Sequence, residues 1–282
     1  MRLAFAHFMR EGDMRIFALA LCGVFSLSTA AAADPIVNIA SRGQSIRAVL
    51  LKHQGTPKGS VILLAGGNGR LDITAAGQIT KLTGNQLVRT RAMYRAKGYD
   101  TLVPDLAPDM KVGADDVAPG YRVSMNYAKD IGAMVKYLRE EGTEPVVVIG
   151  TSRGSGGAAN SVAKLINARR PDAVIYTSAF LKLDCSDIIN LWCLTNNQPQ
   201  LLKLPTLVMW HVDDQCFATP PAAVPPFKTW WQQGTHLVLA RKSFSGGLPP
   251  ESSPCEAKSQ HGFWGLDQKV VNAATDWIAG LQ

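Results

Sequence analysis

The stretch of the chain most suggestive of chemistry is VVVIGTSRGSGGAAN, residues 146–160. Its centre, GTSRG, follows a run of apolar residues rich in valine and precedes small residues that suit a helix. A nucleophile elbow of the G-x-S-x-G type needs this context, because its turn is strained and brings strand and helix close together. Ser152 is therefore a candidate nucleophile. The alternative is an ordinary serine that caps the following helix.

A nucleophilic serine needs a base, and the base needs an acid that orients it. We predict that His261 is the base, because it lies in SQHGFWG, after the last predicted strand and before the last helix, where Gly262 lets the loop turn. The acid should follow a late strand, and PTLVMWH is followed by two aspartates. Asp214 is the predicted acid. Asp213 is the alternative, and Asp184 is a distant third.

An oxyanion at a substrate carbonyl would need two backbone N–H donors. The residue after the serine, Arg153, is expected to supply one of them. The second is expected from the loop LAGGNG, residues 64–69, because glycine lets backbone amides approach a ligand. We favour Gly67, with Asn68 as the alternative. A phosphate-binding loop is disfavoured, since neither G-x-x-x-x-G-K-[ST] nor a full G-x-G-x-x-G occurs here.

Predicted strands and helices alternate along the chain, which indicates a mostly parallel sheet with helices on both faces. Ligands bind at the carboxyl ends of the strands in such sheets, and the candidate residues follow strand ends. We expect a single α/β domain over residues 34–282, in which residues 183–204 form a small cap or a long loop. The predicted strands are 45–54, 61–69, 99–109, 146–150, 173–178, 205–211 and 236–240; the predicted helices are 85–97, 125–138, 152–169 and one with an apolar stripe at 270–281.

The N-terminus has the pattern of a secretory signal. Met14-Arg15 precedes an apolar run and a stretch of alanines that ends at Ala33, where we expect cleavage. Residues 1–33 are therefore predicted to be a signal peptide, and the mature protein to be exported to the periplasm or secreted, without a stable membrane anchor. Four cysteines remain after cleavage, and an even number in an exported chain favours disulfides.

The net charge of +7 points to no particular partner. Nothing in the sequence resembles a nucleic-acid-binding module, so no nucleic-acid partner is expected. The densest basic stretch, Arg89, Arg91, Arg95 and Lys97, is interpreted as the solvated face of a helix. No C-x-x-C spacing occurs, which disfavours a zinc site.

The sequence resembles the α/β-hydrolase superfamily from about Ser45 to Gln282. GTSRG, the GGNG loop, Asp214 and His261 carry the resemblance by their order and spacing. It is also similar to a group of small exported bacterial hydrolases with a serine-arginine-glycine elbow. The common histidine-glycine pairs are replaced here by Ala65-Gly66 after the oxyanion strand and by Trp210-His211 before the acid.

This resemblance implies an α/β-hydrolase fold with little or no cap domain. It implies a serine hydrolase that cleaves carboxylic esters through an acyl-enzyme, takes a small-molecule ester and needs no cofactor or metal. The alternatives are a peptidase or amidase of the same fold and a non-catalytic binding protein of the cell envelope. Fold alone does not decide between them.

With the triad assembled, the acid and histidine loops become neighbours. A disulfide between Cys216 and Cys255 would then join these loops, and Cys185 and Cys193 would pair locally. Five aromatic residues fall near the predicted mouth of the site and suggest an apolar pocket, although core packing would explain them equally well: Trp192, Trp210, Phe217, Phe263 and Trp264.

Overall fold

The computed structural model describes residues 34–114, 116–185 and 190–281. The predicted signal peptide, residues 1–33, lies outside the described residues, as does its cleavage site. The strands are β1 (Ile36–Ser41), β2 (Gln44–Leu51), β3 (Ser60–Leu64), β4 (Asp100–Pro104), β5 (Lys111–Val112), β6 (Asp116–Val117), β7 (Val146–Thr151), β8 (Ala173–Thr177), β9 (Thr206–His211) and β10 (Leu239–Phe244). The α-helices are α1 (Gln86–Arg89), α2 (Arg91–Ala96), α3 (Met125–Glu140), α4 (Arg153–Lys164), α5 (Val224–Thr235) and α6 (Asp267–Ala279).

Eight of these strands form one twisted sheet in the order β1-β2-β4-β3-β7-β8-β9-β10, and β5 and β6 form a separate small ribbon. The pairs β1–β2 and β2–β4 are antiparallel. From β4 to β10 every pair is parallel. The prediction of a mostly parallel central sheet is therefore confirmed.

The sheet is buried on both faces, as its continuous apolar strands require. Alternate residues of β7 show this directly, since Val146 and Val148 pack in one core and Val147 and Ile149 in the other. Helices α3, α4 and α5 cover the first core, and α1, α2 and α6 cover the second. The predicted helices on both faces of the sheet are present.

Several boundaries differ from the predicted ones. The predicted helix 85–97 is two short helices, because the chain turns at Thr90, whose hydroxyl bonds the Gln86 carbonyl and whose ψ is 0°. Helix α5 was not predicted, since its first turn contains Pro225 and Pro226, which resemble a loop in sequence but fit the start of a helix. The edge strand β1 was also missed.

The segment 183–204 adds no cap domain in its described part. Residues 190–202 form three short 3-10 turns: Asn190–Trp192, Leu194–Asn196 and Pro199–Leu202. They pack against α4, where the backbone of Trp192 lies so close to Gly156 that a Cβ there would be 2.6 Å from the Trp192 carbonyl oxygen. Of the two predicted alternatives, a small cap or a long loop, the described part of this segment is a long loop.

A cluster of charged side chains fixes the position of the loop that follows β3. Asp72 accepts hydrogen bonds from Arg70 at 2.7 Å and Lys111 at 3.2 Å and pairs with Lys81 at 2.8 Å. Burial alone would raise the pKa of Asp72, but the bonds from these three cations outweigh it and hold the pKa well below its usual range. The bond from Lys111 therefore ties the loop after β3 to β5.

Candidate active site

Ser152 lies between β7 and α4 in a strained turn. Its φ of 52° and ψ of −127° are unusual for a residue with a side chain and cost about 1–3 kcal/mol. Two glycines make this turn sterically feasible. A Cβ on Gly154 would lie 2.2 Å from the Leu64 carbonyl oxygen, and one on Gly150 would lie 2.4 Å from that of Gly154. The serine is thus held at the carboxyl end of a central strand, where α4 begins.

His261 and Asp214 form a buried pair. The histidine Nδ1 lies 3.0 Å from the aspartate Oδ2, and the two residues are 4% and 6% exposed. Asp213, the alternative acid, has a side chain that is 68% exposed and lies 3.9 Å from His211. The structure therefore brings Asp214, rather than Asp213, to His261. Asp184, the third candidate, is an exposed residue of the loop after β8.

Thr219 contacts both residues of this pair, and it was not predicted from the sequence. Its hydroxyl donates to Asp214 Oδ2 at 2.9 Å and lies 2.9 Å from His261 Nδ1. The other carboxylate oxygen accepts from the backbone N–H of Cys216 at 2.9 Å. Three donors thus surround the carboxylate of Asp214. A threonine five residues after the acid gives no distinctive sequence signal.

The second ring nitrogen of His261, Nε2, is buried and has no hydrogen-bond partner among the described residues. His261 and Ser152 line the same cavity of about 310 Å³, which we call the histidine lobe. Its wall also includes Gly84, Gln86 and Glu256. An imidazole bonded to a carboxylate through Nδ1 leaves Nε2 to exchange a proton.

A second cavity of about 430 Å³ shares Gly67, Ser152 and Cys255 with the first, and we call it the aromatic lobe. Phe180, Trp192 and Phe217 line it. Of the five aromatic residues expected at the mouth, Trp192 and Phe217 are thus in the site. The other three pack elsewhere. Trp210 packs against the first core, Phe263 lies in the second core, and the Trp264 ring lies against Arg89 and Lys258.

The glycine loop after β3 lies beside the serine, since a Cβ on Gly66 would be 3.1 Å from Ser152 Cβ. Arg122, which is 2% exposed, holds this loop from below by donating to the carbonyls of Ala65 at 2.7 Å and Gly67 at 3.1 Å. A trans peptide holds its C=O and N–H antiparallel, so the Gly67 carbonyl bond fixes the direction of the Asn68 N–H. Arg122 was not predicted to contact the site.

The direction of the Gly67 N–H is fixed in the same way, because the Gly66 carbonyl accepts from the Gly69 N–H at 3.2 Å. The N–H groups of Gly67 and Asn68, the two candidates for the second oxyanion donor, are therefore both fixed in direction, because the carbonyl of each peptide unit accepts a hydrogen bond. Arg153, the predicted first donor, begins α4 directly after the serine.

Arg89 holds the histidine loop, so its prediction as a solvated residue was wrong. Its guanidinium donates to the carbonyls of Gly84, Ala257 and Gly262 at 2.7, 3.2 and 2.7 Å and pairs with Asp267 at 2.7 Å. These bonds join α1, the histidine loop and the start of α6. Arg91 likewise pairs with Asp34, at 2.6 Å, whereas Arg95 is exposed as predicted and Lys97 is half-buried.

Two disulfides lie near the site. Cys216 and Cys255 are bonded and join the acid loop to the histidine loop, and Cys185 and Cys193 are bonded within the loop after β8. Both pairs are the ones implied by the resemblance. Cys216 and Cys255 also line the aromatic lobe, so this bridge forms part of the wall of the site.

Among residues 34–281, apart from the few not described, no group of three or more histidine, cysteine or acidic residues could hold a metal ion. No helix in that same part of the chain is both long and apolar enough to cross a membrane.

Three solved structures with similar folds are named as hydrolases or as an esterase. A sugar hydrolase from Lactococcus lactis shares 15% identity over 88% of this chain and 98% of its own, with a TM-score of 0.58. A thermophilic esterase from Thermogutta terrifontis shares 14% identity over 88% and 94%, with a TM-score of 0.56. A dienelactone hydrolase from Anabaena variabilis shares 16% identity over 88% and 97%, with a TM-score of 0.55. No family model and no curated protein matches the sequence.

Proposed function

We propose that this chain, which has the α/β-hydrolase fold, is a serine hydrolase that cleaves carboxylic esters through an acyl-enzyme. The observation that carries the proposal is the His261–Asp214 pair: His261 lines the same cavity as the strained Ser152, and its Nε2 has no hydrogen-bond partner among the described residues. A binding scaffold has no use for a buried histidine with one nitrogen bonded to a carboxylate and the other unpartnered.

In the proposed reaction, Ser152 Oγ attacks the ester carbonyl while His261 Nε2 takes its proton. Asp214 holds the imidazole and stabilises its charged form. The N–H groups of Arg153 and Gly67, with Asn68 as the alternative to Gly67, bind the oxyanion. The alcohol then leaves with the proton from His261. Water, activated by the same histidine, cleaves the acyl-enzyme and releases the carboxylic acid.

The nucleophile is tested by labelling the purified mature protein with a fluorescent fluorophosphonate. Wild type is expected to label, and Ser152→Ala and His261→Ala are expected not to. Hydrolysis of 4-nitrophenyl esters of increasing chain length then measures the activity. A folded wild-type protein that neither labels nor hydrolyses any ester or amide would favour the non-catalytic binding protein. Preferential cleavage of amides would favour the peptidase or amidase.

The two neighbouring aspartates provide a matched pair for the acid. Asp214→Asn is expected to lower kcat by up to about 10⁴-fold, as replacement of the triad acid does elsewhere. Asp213→Asn removes the same charge one residue away, at an exposed position, and is expected to leave kcat near wild type. Equal effects of the two substitutions would contradict the assignment.

We further propose that the mature protein acts outside the cytoplasm, in the periplasm or as a secreted enzyme. Two disulfides support this, because such bonds persist in oxidising compartments. Residues 1–33 would direct the export. Fractionation of cells that express the full chain, with N-terminal sequencing of the exported form, tests both points; a cytoplasmic protein that retains residues 1–33 would contradict them.

A further inference from the structure

The two lobes of the site have different roles if the chain is a serine hydrolase, and this inference rests on the proposed function. The alcohol must leave close to His261, because that residue returns the proton to it. His261 lines the histidine lobe and is not among the residues that line the aromatic lobe. The acyl group of the substrate therefore belongs in the aromatic lobe.

The aromatic lobe is apolar except for one charge. Its wall consists of aromatic side chains, small residues and the Cys216–Cys255 bridge, and Arg153 is the charged side chain in it. The Arg153 guanidinium lies over the Trp192 ring, with its carbon 5.6 Å from the ring centroid. Among the described residues, no carboxylate lies within 4.0 Å of it. A guanidinium held over an aromatic ring by a cation–π contact still has N–H groups that can bind a planar anion.

The charge of the histidine lobe has the opposite sign. Glu256 is exposed and lies in the wall of that lobe, on the side where the alcohol would leave. An anionic group would be repelled from the histidine lobe and attracted into the aromatic lobe. The two charges therefore discriminate between the ends of a substrate that carries one negative charge.

We propose that the substrate is an ester whose acyl part is an apolar chain or ring that ends in an anionic group, such as a carboxylate. The apolar part packs between Phe180, Trp192 and Phe217. The anion accepts a two-pronged hydrogen bond from Arg153, whose own backbone N–H binds the oxyanion. Arg153 thus acts twice on one substrate, through its backbone on the reacting oxygen and through its side chain on the far end of the acyl group.

Two esters of similar shape test this assignment: 4-nitrophenyl 4-carboxybenzoate, which carries the anion, and 4-nitrophenyl 4-methylbenzoate, which does not. Wild type is expected to prefer the carboxylated ester by about tenfold in kcat/KM, and the preference should shrink as salt is added. Arg153→Gln should bring the ratio of the two kcat/KM values close to one. Arg241→Gln removes the same charge from β10, away from both lobes, and should keep the wild-type ratio.

Measuring ligand binding to the Ser152→Ala variant tests the anion subsite independently of catalysis. Calorimetry should give a Kd about tenfold lower for 4-carboxybenzamide than for 4-methylbenzamide, and this difference should vanish in the double variant with Arg153→Gln. Hydrolysis of neither ester would count against the proposed function, whereas equal Kd values for the two amides would overturn the anion subsite. Hydrolysis of both esters with a ratio near one in wild type would also overturn it.

Discussion

Replacing Arg122 by methionine would remove the two hydrogen bonds that hold the glycine loop beside Ser152. Methionine keeps much of the buried volume, so the main loss is polar. The carbonyls of Ala65 and Gly67 would lose their donors. Ala65 is buried, and a buried group left unsatisfied costs about 1–3 kcal/mol, whereas Gly67 is exposed and its carbonyl can bind water instead. We therefore expect the free energy of unfolding to fall by about 1–3 kcal/mol, a sizeable share of the stability of an ordinary domain.

The effect on catalysis follows from the peptide geometry. Removal of one oxyanion donor costs about 10²–10³-fold in kcat. Arg122 orients the loop without being a donor to the substrate, so its loss should misalign that contact rather than delete it. We expect kcat to fall by about 10–100-fold for a 4-nitrophenyl ester, with KM changed by less than about threefold, because the oxyanion forms after the substrate binds.

Urea unfolding and steady-state kinetics, at a temperature where both proteins are folded, separate the two effects. Arg122→Lys keeps the charge but loses the planar fork, so its kcat should lie between those of wild type and Arg122→Met. Arg170→Met is the matched control, since Arg170 also donates to a backbone carbonyl, that of Leu201, outside the site. A folded Arg122→Met variant with wild-type kcat would refute the reasoning.

Three further perturbations test other contacts. Thr219→Val should lower kcat about tenfold, since a hydrogen bond to a charged group is worth about 1.5–3 kcal/mol and two donors remain on the carboxylate; Thr219→Ser should restore the rate in the same ester assay. Replacing Cys216 and Cys255 by serine should lower the free energy of unfolding by about 2–4 kcal/mol and slow ester hydrolysis, whereas loss of the local bridge should spare kcat; unchanged rates in both would contradict a role for the first bridge. Asp72→Asn should destabilise the protein more at pH 7 than near pH 3, as measured by the shift in the urea midpoint. Because the pKa of Asp72 is lowered in the folded state, its contribution is complete above the unfolded pKa of about 3.9, decreases below that pH and is lost only as the pH falls through the folded pKa. Equal destabilisation at both pH values would contradict this account.

The central sheet was predictable because its signal is local. A run such as VVVIG is apolar on both faces, and only a strand covered by helices on both sides buries such a run. Ser152, Asp214 and His261 could also be proposed from sequence, because each follows a strand end and so must lie near the same edge of the sheet. Among the histidines, His261 was chosen because it lies in a loop after the last predicted strand and before the last helix.

The supporting contacts could not be predicted, since they join residues far apart in sequence. Arg89 is 178 residues from Asp267, and Arg122 is 57 from Ala65. In sequence each is a basic residue with no neighbouring partner, and a solvated helix face is the ordinary interpretation. The choice between Asp213 and Asp214 likewise depended on which carboxylate faces inwards after the turn, and that is a property of the folded loop.

The positive φ of Ser152 also affects which substitutions can accumulate at this position during evolution. A glycine at this position would relieve about 1–3 kcal/mol of strain, so selection for stability alone would favour losing the side chain. Only a use for the hydroxyl opposes that drift. In a descendant released from that use, position 152 should be among the first to change, and its replacement would be recognisable as a gain in stability.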